Sequence, residues 1–259
     1  MAQILVRRDG AIAQVVISHP ERRNAMTFEM LQQLARTFAD LGDDDSVRVV
    51  LLMGEGGTFT AGADISQFEA IRADADGDKR FMAVLDAALA APSRCARPVI
   101  GVLQDVCMGG GLELAAACDL RFAAKGTRFC MPAARTGAGY RIEGIRRFVD
   151  LIGPARSADL FFSARRFDAD EALAIGFVDR VVEPSLLLEE AARYGQGIAG
   201  NAPLTVAAAK AAIRAVRADA SAEDLAQAQA RIAACIGSDD QKEGRRAFME
   251  KRPPRFQGR

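Results

Sequence analysis

The chain has no tryptophan, one histidine and two tyrosines among its 259 residues. With His19 as the sole histidine, a Ser–His–Asp triad would depend on that one residue, and a histidine-rich metal site is excluded. His19 precedes Pro20 at the end of an apolar run, where a turn is expected, so its expected role is structural. The five cysteines, Cys95, Cys107, Cys118, Cys130 and Cys235, form no C-x-x-C pair and leave an odd one. They read as unpaired thiols in a reducing compartment. No run approaches the ~20 apolar residues that span a bilayer. The opening MAQILVRRDG puts apolar residues before the arginines, the reverse of a secretory signal, so a cytoplasmic location is expected. Neither sign of charge is in excess: 34 Lys and Arg balance 34 Asp and Glu, which argues against a general polyanion binder.

What is present is ordinary globular composition, 50% apolar and 26% charged, in a length that suits one large domain with or without an appendage. Ile4–Val6 and Ala11–Ile17 read as a hairpin through Asp9-Gly10. Thr27 precedes a helical pattern of Met30, Leu31, Leu34, Phe38 and Leu41. Val47–Met53, Pro98–Leu103 and Leu120–Ala123 read as strands, alternating with helices at Phe81–Ala91, stopped by Pro92, and at Leu112–Ala117. That alternation implies βα units with parallel pairing. Beyond Ala155 helices dominate (Pro154–Phe162, Ala169–Ile175, Leu186–Ala199, Leu204–Val216, Ala222–Ile236), interrupted by Val178–Val182.

Two glycine-bearing junctions follow strands. At Phe59-Thr60-Ala61-Gly62-Ala63-Asp64-Ile65 a helix is expected from Ile65, capped by Asp64 with Gln67, with Ala63 and Phe68 as its staple. Small side chains at 61–63 would leave the amide of Ala63 open to a ligand; the plainer reading is a tight turn into a helix. At Met108-Gly109-Gly110-Gly111-Leu112-Glu113-Leu114 three glycines free the backbone to aim amides at a bound group, assisted by the positive end of the next helix. Glu113 stands alone among apolar neighbours, where burial would raise its pKa toward acid/base work; a structural ion pair is the alternative. If the junctions meet, the amides of Ala63 and Gly110 would grip one oxygen with Glu113 beside it. That arrangement suits enolate formation next to a carbonyl, without metal.

The ordered set His19–Ala25 (HPERRNA), Val47–Leu51, Ala61–Ile65, Arg97–Ile100, Gly109–Leu114, Ala172–Val182 and Ala247–Arg252 resembles the crotonase superfamily, the enoyl-CoA hydratase/isomerase family, over nearly the whole chain. The resemblance implies an α/β fold, a spiral of ββα units over residues 1–200 carrying an acyl-CoA site. Residues 201–259 would form a helical trimerisation region, giving a homotrimer or a dimer of trimers. It implies that Ala63 and Gly110 bind the thioester oxygen and that Glu113 is the acid/base. Arg22, Arg23, Ala25, Ala61, Asp64 and Ile65 would line the CoA site, and Phe248 and Lys251 would touch the CoA of a neighbouring subunit. Coenzyme A enters as part of the substrate, with no separate cofactor and no metal.

Two departures bear on the reaction. Hydratases of the family carry a second glutamate after the proline of F-x-x-P-E, and here Phe129-Cys130-Met131-Pro132 is followed by Ala133. Hydration or dehydration is the family's commonest outcome, but here hydration is expected to be weak unless another residue substitutes, which moves weight to double-bond isomerisation or decarboxylation. Gly139–Ile145 (GYRIEGI) is similar to a stretch of methylmalonyl-CoA decarboxylases in which the tyrosine is catalytic, although those carry histidine in place of Ala63. Tyr140 is thus a candidate donor, Glu143 a candidate to reach back, and Arg141 a candidate for an acyl carboxylate, against a plain solvated helix start. Some superfamily members bind RNA, and Arg245, Arg246, Lys251, Arg252, Arg255 and Arg259 make the C-terminal stretch locally basic. An inactive acyl-CoA binder is the third alternative.

Overall fold

The computed structural model describes residues 1–64, 66, 71, 75–217 and 220–259. In order the chain forms β1 (Gln3–Asp9), β2 (Ile12–Ser18), α1 (Phe28–Asp43), β3 (Val49–Gly54), α2 (Ala75–Arg94), β4 (Val99–Leu103) and β5 (Val106–Met108). Then come α3 (Gly110–Ala116), β6 (Leu120–Ala124), β7 (Arg128–Cys130), α4 (Ala133–Thr136), α5 (Ile142–Ser163), β8 (Arg166–Asp168), α6 (Ala169–Ala174) and β9 (Arg180–Val182). The chain closes with α7 (Leu187–Ala199), α8 (Pro203–Ala215), α9 (Ala222–Cys235) and α10 (Asp239–Met249).

The larger sheet has the order β1-β2-β3-β4-β6-β9 and is parallel apart from the β1–β2 hairpin. Apolar residues cover it on both faces. Val50 and Leu52 pack with α1 and α2, while Val49 and Leu51 pack with Leu187 and Ala191 of α7. Burial on both faces explains why these strands read as continuous apolar runs instead of alternating ones. The Thr27 hydroxyl caps α1 by accepting the Met30 N–H.

A second wall makes the fold a spiral. Each turn of chain leaves the large sheet and runs a few extended residues beside the previous turn: Met26 pairs with Ala63, Thr60 with Cys107, β5 with β7, and β7 with β8. This is the α/β spiral of ββα units expected from the sequence.

Several elements differ from the sequence reading. Pro92 does not stop α2, which continues to Arg94. Carbonyls near its end find other donors: Ser93 Oγ donates to Ala90 O and Lys210 Nζ to Pro92 O. The helix expected from Pro154 is present, but a further helical stretch from Ile142 precedes it, and Gly153 (φ 79°, ψ 165°) joins the two just before that proline. The three-residue strands β5, β7 and β8 are too short for alternation to announce them, and α10 also went unanticipated.

Side-chain bonds dock the C-terminal helices. Lys210 Nζ on α8 donates to Pro92 O, Arg97 O and Asp119 Oδ2 at 2.7–2.9 Å. The buried Asp240 carboxylate accepts the N–H groups of Gln257 and Gly258, which folds the tail back on α10. Among the described residues no helix is long and apolar enough to cross a membrane.

Candidate active site

The spiral brings the two junctions together through backbone register. Thr60 pairs in parallel with Cys107, its N–H donating to Val106 O and its carbonyl accepting the Met108 N–H. Three residues beyond each member of that pair stand Ala63 and Gly110. The approach is close: a Cβ on Gly62 would lie 2.7 Å from Met108 O and 3.4 Å from the Gly110 nitrogen. A Cβ on Gly111 would lie 2.5 Å from Thr60 Cγ2. Gly62 also has φ of 104°, a conformation that side chains oppose. Met26 takes the carbonyl of Gly62 and the N–H of Asp64. The Gly110 Cβ position lies 3.7 Å from the Ala63 nitrogen.

The His19–Ala25 loop is fastened to the same corner. Buried Asn24 accepts the His19 N–H through Oδ1 and donates through Nδ2 to Glu55 O and Thr58 O. Arg23 and Asn24 both hold positive φ (50° and 56°), and the Arg23 carbonyl accepts the Ala61 N–H. Near-buried His19 places Nδ1 2.8 Å from Ala25 O, so it acts as a structural tie. Arg22 and Arg23 are thereby displayed at the surface, with Ala25 and Ala61 half-buried behind them. Asp64 is buried; it pairs with Arg22 Nη1 at 3.2 Å and accepts from the Ser66 hydroxyl and N–H. The Ser66 bonds, joined by Arg22, hold its carboxyl below the usual range despite partial burial. Ile65 and the Gln67 and Phe68 capping partners lie outside the described residues.

Glu113 is 2% exposed. Its Oε1 accepts from Arg141 Nη2 at 2.8 Å and from Arg147 Nη1 at 3.0 Å, and Tyr140 donates its hydroxyl to the same carboxylate. Burial is the largest influence and raises the Glu113 pKa; Arg147 and the Tyr140 bond pull it down, and Glu143 adds to the rise. The phenol of Tyr140 is itself raised well above its usual value by burial and by Glu113, so it stays protonated. Arg141 pairs with Asp86 of α2 through its other terminal nitrogen, so its guanidinium is committed to protein carboxylates. Glu143 is exposed. Both readings of Glu113 therefore apply at once: it is a buried carboxylate and it is ion-paired.

Ala133 is buried at the start of α4, directly after Pro132, whose ring lies 3.8 Å from the Cβ position of Gly109. Phe248 is 82% exposed near the end of α10, and Lys251 is exposed beyond it. Sequence reasoning passed over Arg147, Gly144, Asn24 and Asp86. An arginine on a helix carries no signal that it turns inward; only the apolar spacing of Gly144 and Phe148 marks that face as buried.

The structure is a spiral in which two glycine-bearing bends meet at the start of the short helix that carries the buried Glu113. The chain matches the enoyl-CoA hydratase/isomerase family over residues 7–259 and belongs to it. It is 32% identical to a short-chain-enoyl-CoA hydratase of Clostridium acetobutylicum, over 96% of this chain and 95% of that one. It is also 27% identical to a peroxisomal Δ3,5-Δ2,4-dienoyl-CoA isomerase of Arabidopsis thaliana, covering 96% and 93%. Among solved structures, an enoyl-CoA hydratase/isomerase family protein from Hyphomonas neptunium superposes with a TM-score of 0.91 at 35% identity, covering 99% of this chain and 98% of that one. The protein is accordingly an enzyme of that family.

Proposed function

We propose that this enzyme acts on an acyl-CoA thioester by forming and reprotonating an enolate. The N–H groups of Ala63 and Gly110 hold the thioester oxygen, and Glu113 takes and returns the proton. The observation that carries the reading is the meeting of the two bends, with the Gly110 Cβ position 3.7 Å from the Ala63 nitrogen. Each such donor is worth about 10²–10³ in rate when charge develops on the oxygen. Tyr140 keeps its proton and steadies the Glu113 carboxylate. Arg22, Arg23, Ala25, Ala61 and Asp64 line the path of the CoA moiety, which enters as part of the substrate.

Ala133 favours isomerisation over hydration, because a methyl group cannot hold water against Glu113 as a second carboxylate would. Decarboxylation of a malonyl-type thioester loses support from the commitment of Arg141 to Glu113 and Asp86. RNA binding loses support from the pairing of Arg246 and Arg252 with Glu243 and Glu250. A homotrimer or dimer of trimers fits the exposed apolar side chains of Ile213, Val216, Ile236, Phe248 and Met249, and would let Phe248 and Lys251 meet a neighbour's CoA. A cytoplasmic location belongs to the same reading.

The test is a screen of enoyl, 3-hydroxy, malonyl-type and β,γ-unsaturated acyl-CoA thioesters with mass detection. We expect turnover of the β,γ-unsaturated thioester and slow loss of the crotonyl-CoA enoyl absorbance. Fast crotonyl-CoA hydration would overturn the isomerase preference. Glu113→Gln should lower turnover by about 10²–10⁴-fold on whichever thioester reacts, and full activity in that variant would overturn its assignment. Thioester binding without α-proton exchange would mark an inactive binder.

A further inference from the structure

We propose that the segment from Arg141 through Arg147 is a positioning device for Glu113: both guanidinium groups hold Oε1, Gly144 leaves the space that the carboxylate fills, and proton transfer is confined to Oε2. This rests on the reading of Glu113 as the acid/base group and says which of its oxygens acts.

Three observations support it. The bonds from Arg141 and Arg147 end on the same oxygen, at 2.8 and 3.0 Å. Guanidinium groups keep their charge at any working pH, so this oxygen stays occupied throughout. The carboxylate also fills the room beside Gly144: a Cβ there would lie 2.9 Å from Oε1, 3.0 Å from Cδ and 3.1 Å from Oε2. Finally, Gly144 is buried inside α5, where a helix would ordinarily gain from alanine. Space for the carboxylate supplies the reason for glycine at this position. The charged and titratable groups facing Glu113 among the described residues are Tyr140, Arg141, Glu143 and Arg147, with Asp86 of α2 reaching it through Arg141.

The chemical consequence is one-oxygen catalysis. Oε2 takes the α-proton, the C–H electron pair moves into the enolate double bond, and the thioester carbonyl pair moves onto oxygen. Return of the proton from Oε2 to the α- or γ-carbon restores the thioester and the carboxylate. No water has to be held between two oxygens of Glu113, and no other reactant is needed. Arg141 and Arg147 act through Glu113 and are positioning residues.

The experiment measures deuterium uptake from D2O into butyryl-CoA by mass against pH, using the whole chain. Uptake by the unaltered protein tests the enolate reading itself; none at any pH means that reading has failed. Given uptake, Arg147→Gln should move the acidic limb of the pH profile upward by about one unit, because an opposite charge is removed from the carboxylate. KM should stay within about twofold, since the binding contacts are untouched. Arg147→Lys should recover part of the shift. Gly144→Ala should lower the uptake rate by about 10²-fold through displacement of the carboxylate, with the folded fraction maintained. If Arg147→Gln does not fold, Gly144→Ala decides alone. An unmoved limb in folded Arg147→Gln, or an unchanged rate in Gly144→Ala, would overturn the proposal.

Discussion

The two sides of the site are held by different means. The proposed oxygen-binding side is backbone throughout: two bends whose separation is set by the Thr60–Cys107 pairing and whose approach is permitted by missing side chains. The proposed proton-transfer side is all side chain, with Glu113 held by Arg141, Arg147 and Tyr140 arriving on or just before a later helix. A backbone device fails when something is added to it. A side-chain device fails when a partner is taken away or when the space it occupies is filled. Substitutions can therefore separate the two.

The largest structural effect is expected from Gly62→Val. A branched side chain would meet both the 104° φ and the Met108 carbonyl at 2.7 Å. Backbone strain of this kind costs about 1–3 kcal/mol before the clash is counted. Chemical denaturation should show the loss, and what remains folded should exchange no α-protons. Gly144→Ala, by contrast, should leave the denaturation midpoint near that of the parent while the rate falls. If both variants behaved alike, the distinction between the two sides would be lost.

That difference also governs how much could be read beforehand. Gly62 and Gly109–Gly111 follow apolar strands, and glycine after a strand advertises a tight, open bend. The spacing of Ala63 and Gly110 within those bends was legible for that reason, together with Glu113 as a lone charge in an apolar stretch. Nothing local indicates that Arg147 turns toward Glu113, 34 residues earlier, because an arginine looks the same in sequence whether it faces water or a buried carboxylate. Likewise Pro92 announced a helix end that Ser93 and Lys210 instead prolong, and Lys210 lies 118 residues away from the carbonyl it satisfies. Backbone chemistry leaves local marks, whereas long-range side-chain partners do not.

Asn24 lies between the two kinds, a side chain doing backbone work. Asn24→Ala would orphan the His19 N–H and the carbonyls of Glu55 and Thr58 in a largely buried corner. Each unmet group costs about 1–3 kcal/mol unless water replaces the lost bond. The loop that displays Arg22 and Arg23 should then loosen. Affinity for CoA thioesters should fall more than the maximal rate, which titration calorimetry and saturation kinetics would resolve. A fall in maximal rate alone would place Asn24 with the proton-transfer side instead.

The smallest effect belongs to a region remote from both. Ser221 and Asp224 form a capping box at the start of α9: Asp224 N–H donates to the Ser221 hydroxyl oxygen, and the Asp224 carboxylate accepts the Ser221 N–H. The bond from Arg214 leads the influences that lower the Asp224 pKa to about 2, from 3.8. A carboxyl depressed on folding stabilises the folded state above its unfolded value and loses that contribution as pH falls through its folded value. Asp224→Ala should therefore lower stability by about 1 kcal/mol near neutrality, as lost caps do. The gap to the parent should begin to narrow below pH 3.8 and close near pH 2, read from urea midpoints over the pH range in which the parent stays folded. The exchange rate per folded molecule should not change. If it fell as far as in Gly144→Ala, α9 would have to be counted as part of the catalytic assembly, and the contrast between a backbone side and a side-chain side would need a third member.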